Sequence, residues 1–123
     1  MRKQKYDLEE RLIQFAVEII IVCGKLEGNF ASQHLSRQLI RSTTSAALNY
    51  GEAQSAESHR DFLHKMKICL KELRESWVNF KIQKGAQLIS NIERLNYLMK
   101  ENNELIAIFV SSIKTSKNNK NNK

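Results

Sequence analysis

The side chains best suited to chemistry in this chain are the bases and histidines between Arg37 and Arg74. Arg60, His64, Lys67, Lys71 and Arg74 fall at i, i+4, i+7, i+11 and i+14. On a helix these five share one face and form a stripe that can track phosphates. Such contacts weaken with salt and carry no base-sequence information. The competing reading is an ordinary solvated face, diluted by Glu72 and Glu75. Arg37 and Arg41, upstream, are candidates to extend the basic surface.

A catalytic inventory is missing. His59 and His64 are five apart, on different sides of a helix, unlike the i, i+4 histidines of HExxH. No ExxH occurs, so the carboxylate–histidine pattern of bundle metal sites is missing. There is no phosphate loop and no GxSxG. Cys23 and Cys69 lack a CxxC pattern and fall in apolar helical positions, which suits packing as small apolar residues. The expectation is a non-enzymatic protein with no metal and no cofactor.

The elements that would position the stripe follow from composition and period. The chain has 123 residues, room for one domain and one core. It has no proline and only four glycines, which suits long helices. Asp7 is a candidate N-cap for a first helix running to about Leu26, with Gly28-Asn29 as a left-handed stop. A second helix starts at Ser32 or Ser36 and runs to about Ser55, with small residues from Ser42 to Ala47 that allow close helix approach. Ser58, with Asp61 three residues on, signals the cap of a third helix ending at Gly85. Ser90 with Glu93 signals a fourth, apolar on one face to Ile113. Four amphipathic helices with short connections predict an all-α, antiparallel up-down-up-down four-helix bundle over residues 7–113.

The first helix carries two apolar stripes. Leu8, Leu12, Phe15, Ile19, Val22 and Leu26 form one. Ile13, Val17, Ile20 and Ile21 form another, displaced by roughly a third of a turn or more at ~100° per residue. A lone bundle needs only one, so the second is read as a subunit interface. The alternative is one broad core face against two neighbouring helices.

Net charge is +7, but its placement matters more. Residues 1–6 hold three bases and residues 114–123 hold four, and both are expected to be basic, disordered ends. Between Tyr6 and Ile113 bases and acids balance at 13 each, so the high pI alone does not argue for nucleic acid. From Leu35 to Lys84 nine bases face five acids, which gives the body one basic half. The longest apolar run, Phe15 to Cys23, contains Glu18 and is too short to span a bilayer. No signal peptide is evident, and a soluble cytoplasmic protein is expected.

The central stretch resembles a known family. QLIRSTTSAALNY, then EAQSAES, then DFLHKMKICLKELRES before Trp77, looks like the bacterial four-helix-bundle family of 23S rRNA intervening-sequence proteins. The match falls on Gln38, Leu39, Arg41, Ser42, Ser45, Asn49, Tyr50, Glu52, Ala53, Ala56, Ser58, Asp61, Phe62, Lys65, Glu72, Glu75, Ser76 and Trp77. It departs at Gly51, where a basic residue is common in the family. The resemblance implies a homo-oligomer, with a ring-like pentamer as the family arrangement, and an association with RNA. It supplies no catalytic residues. Related bundles accompany retroelement reverse transcriptases, so a protein-interaction scaffold or accessory subunit of a nucleic-acid enzyme is the second expectation.

Overall fold

The computed structural model describes residues 7–24 and 28–121. It has four helices: α1 (Asp7–Gly24), α2 (Phe30–Gln54), α3 (His59–Gly85) and α4 (Ile92–Asn121). The expected basic start, residues 1–6, and the expected end of the first helix at Leu26 lie outside the described residues.

Consecutive helices run antiparallel and each packs beside the next, as four amphipathic helices with short connections predicted. Side-chain pairs fix the register. Arg11 on α1 reaches Glu101 and Glu104 on α4 at 2.7 and 3.0 Å. Lys65 on α3 donates to Glu52 on α2 at 2.6 Å, and Asn102 on α4 donates to the Leu73 carbonyl on α3 at 3.1 Å. The core is the inward stripe of each helix, including Leu12, Phe15 and Ile19, then Leu39, then Met66, Leu73 and Phe80, then Leu98, Leu105 and Phe109. Aromatic rings cross both diagonals. Phe15 meets Phe80 at 6.4 Å, and Tyr50 meets Phe109 edge-on at 5.8 Å. Both cysteines are free and buried, and burial pushes the Cys69 thiol up to about 12. It therefore stays protonated and donates to the Ala46 carbonyl at 3.4 Å.

The Ser58 cap forms as expected, its hydroxyl accepting from the Asp61 backbone N–H at 3.0 Å. Three boundaries differ. Asn29 is not a left-handed stop: it sits at φ −84°, ψ 173° and caps α2, its side chain accepting from the Ser32 N–H at 2.7 Å. The cap of α4 is Asn91 rather than Ser90, with its side chain accepting from the Arg94 N–H at 3.0 Å. In both places an asparagine, an equal or better cap, lies next to the serine or glycine that suggested the boundary.

The third difference is the tail. Residues 114–121 are helical, not disordered as expected. Nothing after Ile113 stops a helix, since no glycine or proline follows Gly85. Lysines in the final turns also suit the negative end of the helix dipole.

α3 ends in a Schellman turn. Leu88 N–H donates to the Gln83 carbonyl at 2.9 Å and Gln87 N–H to the Lys84 carbonyl at 3.1 Å. The left-handed residue this turn requires is Gln87, at φ 56°, not Gly85. A side chain is strained there. Gln87→Gly should therefore stabilise the fold by about 0.5–1 kcal/mol, raising Tm by roughly 2–5 °C at fixed protein concentration. A lower Tm in calorimetry would mean that the turn is not strained.

Candidate nucleic-acid interface

α3 carries the basic stripe because its inward positions are apolar and its cap sets the phase. With Met66, Cys69, Leu73 and Phe80 buried, the residues on the far side face solvent. Arg60, His64, Lys67, Lys71 and Arg74 are all exposed. None of these bases has an acidic partner within 4 Å among the described residues. Arg60, His64 and Lys67, with His59 and Leu63, line a shallow groove of about 400 Å³.

The two acids that seemed to dilute the stripe point elsewhere. Glu72 is buried and Glu75 exposed, and both face α2, where they hold Arg41. The guanidinium sits 3.4 Å from Glu72 and donates to Glu75 at 2.9 Å. Hydrogen bonding to Glu75 and the charge of Glu72 together raise the pKa of Arg41. Arg41 therefore differs from the other candidates, because its charge is already matched. Arg37, one turn earlier, is exposed and free of acidic partners among the described residues.

The polar motif that carries the family resemblance forms the seam between α2 and α3. Ser42 and Ser76 hydroxyls meet at 2.7 Å in full burial, and Ser76 donates to the Glu72 carbonyl at 3.0 Å. Ser45 donates to Glu72 at 3.3 Å, and Asn49 donates to the Ser45 carbonyl at 2.9 Å. Asn79 reaches across to the Leu35 carbonyl at 3.0 Å. Small side chains let the two helices approach, and their hydroxyls satisfy one another there. These residues hold the face of α3 in place and leave it to solvent.

Three bases escaped the sequence reading as positioned groups. Lys100 is exposed on α4, and Lys114 and Lys117 are exposed on helical turns instead of a loose arm. The signal available for them was the α4 period, had it been carried past Ile113.

The four residues expected at a subunit interface share one exposed strip of α1. Ile13, Val17, Ile20 and Ile21 are 45, 39, 45 and 51% exposed. The alternative of one broad core face is therefore not what the single chain forms. Among the described residues no helix is long and apolar enough to cross a membrane. No group of three His, Cys, Asp or Glu is placed to hold a metal among them either.

Known proteins give the chain its setting. No curated protein matches it. A crystal structure from Bacteroides thetaiotaomicron, of a protein with unknown function from the S23 ribosomal protein family, is similar with a TM-score of 0.77. The two are 26% identical, and the likeness covers 87% of this chain and 98% of that one. The family model described as 23S rRNA-intervening sequence protein matches residues 4–111, most of the bundle, and the chain belongs to that family.

Proposed function

We propose that this is a non-enzymatic, oligomeric nucleic-acid-binding protein that holds structured RNA on the basic face of α3. The observation that carries this reading is the stripe itself. Arg60, Lys67, Lys71 and Arg74 stand exposed with no acidic partner within 4 Å among the described residues, while Glu72 and Glu75 are paired with Arg41 on the α2 side. Arg37 and the polarisable His64 add to that surface, and Arg41 contributes less than its charge suggests. The family name, tied to inserts in ribosomal RNA, agrees with RNA as the ligand. Self-association through Ile13, Val17, Ile20 and Ile21 repeats a modest stripe on every subunit, up to five times in the pentamer that the resemblance implies. Linked weak contacts then give avidity without a tight single site.

The test is fluorescence anisotropy with labelled structured RNA at several salt concentrations. Log affinity should fall linearly and steeply with log salt. Negligible binding even at low salt would make the stripe a solvated face. The scaffold reading would then lead, supported by the apolar groove of about 310 Å³ between α2 and α3 where Val78 and Ile82 are exposed.

A further inference from the structure

The α3 stripe has a counterpart on α4. From Arg60 the α3 face continues through Val78 to Lys81, completing offsets of 0, 4, 7, 11, 14, 18 and 21. The same offsets starting from Asn96 give Lys100, Asn103, Ala107, Val110, Lys114 and Lys117, all exposed. The two helices are antiparallel, and their contacts fix how the rows line up. Lys84 donates to Asn96 at 3.0 Å, and Asn102 donates to the Leu73 carbonyl. In that register Lys117 and Lys114 come level along the bundle with Arg60 and His64, and Lys100 comes level with Val78, one turn from Arg74. Neither row contains a carboxylate. The nearest acids of α4, Glu101 and Glu104, are turned to Arg11 on α1.

We infer that the nucleic-acid surface is a two-helix furrow along the α3–α4 seam, and that its ligand is the backbone of a duplex. This rests on the reading of α3 as a phosphate-binding face and names both its second wall and its substrate class. The rows are about 32 Å long at ~1.5 Å per residue, close to one duplex turn. Their helix axes are separated by the usual ~8–10 Å, so cations can meet phosphates on two sides of a groove. Single strands would need exposed aromatic platforms for base stacking. Neither row has a Phe, Tyr or Trp, His64 being their one ring, and the neighbouring Trp77 is half-buried with the Lys81 ammonium 5.8 Å from its ring centre. The furrow therefore reads charge and shape, without bases.

The experiment compares Lys100→Gln/Lys114→Gln/Lys117→Gln with wild type and with Lys67→Gln/Lys71→Gln/Arg74→Gln. The probes are a blunt RNA duplex two turns long and one of its single strands, each titrated with salt. All six positions are exposed, and helix content by circular dichroism checks the fold. The α4 variant should bind duplex at least about tenfold more weakly, with a salt slope shallower by roughly 2–3 from three lost contacts. Wild type should prefer duplex to single strand. A full-strength α4 variant beside a weakened α3 variant would overturn the second wall and leave the α3 reading standing. Equal or tighter binding of the single strand would overturn the duplex. Full-strength binding by both variants would remove the α3 reading itself.

Discussion

Replacing Lys67, Lys71 and Arg74 together with glutamate should lower RNA affinity by more than about a hundredfold without changing helix content or native mass. Each subunit's stripe swings by six charges, from three attractive contacts to three repulsive ones. In an oligomer that swing is repeated on every copy, so the loss compounds through avidity. The fold should tolerate the change because all three side chains are exposed and none makes an ion pair among the described residues. Glutamate is as good a helix former as lysine or arginine. One penalty is foreseeable. Lys71 helps to hold the Glu75 carboxyl below its ordinary range, behind Glu72 and Arg41, and a glutamate at 71 would repel Glu75 one turn on. Such a like-charge pair costs only a few tenths of a kcal/mol. Anisotropy against structured RNA reads the affinity, and light scattering reads the mass. Wild-type affinity in the triple variant would reject the stripe.

That stripe was legible because a single helix imposes its own period. Arg60 to Arg74 needs only the 3.6-residue repeat and the Ser58 cap to be placed on one face. The four helices and the core stripes were legible for the same reason. Arg41 was not, because its partners Glu72 and Glu75 lie 31 and 34 residues away on another helix. No local period links them. For the same reason Ser42, Ser45, Asn49 and Ser76, polar residues in a recurring motif, could have been taken for a ligand site. In the fold they satisfy one another between α2 and α3. The tail misled for a different cause. Low complexity argues that a segment cannot build its own core, but α4 already had one. Once Phe109 and Ile113 were docked, the following turns needed only to propagate, and propagation is far easier than nucleation.

Val17→Glu and Ile20→Lys should each break the proposed assembly into folded monomers of about 14.3 kDa. The expectation rests on how α1 is used. Leu12, Phe15 and Ile19 are fully or almost fully buried in the bundle, yet a second row of isoleucine and valine stays about half exposed. Leu48 on α2, 69% exposed, lies one turn before Gly51, where an added side chain would meet Glu9 of α1. Exposed apolar side chains therefore occur on both α1 and α2. An exposed apolar row of this kind is what the proposed self-association would cover. An ionised group placed in its centre would lose its hydration without a partner, at a cost of several kcal/mol. Because both positions face away from the core, circular dichroism should still show full helix content, which separates dissociation from unfolding. Native mass retained by both variants would reject the placement. The α1–α2 flank lies opposite the α3–α4 seam, so dissociation should also leave each subunit's phosphate contacts intact. The monomeric variants should then bind RNA more weakly through lost avidity, while a single-subunit salt slope persists. Loss of all binding in a folded monomer would instead mean that the RNA site is built between subunits.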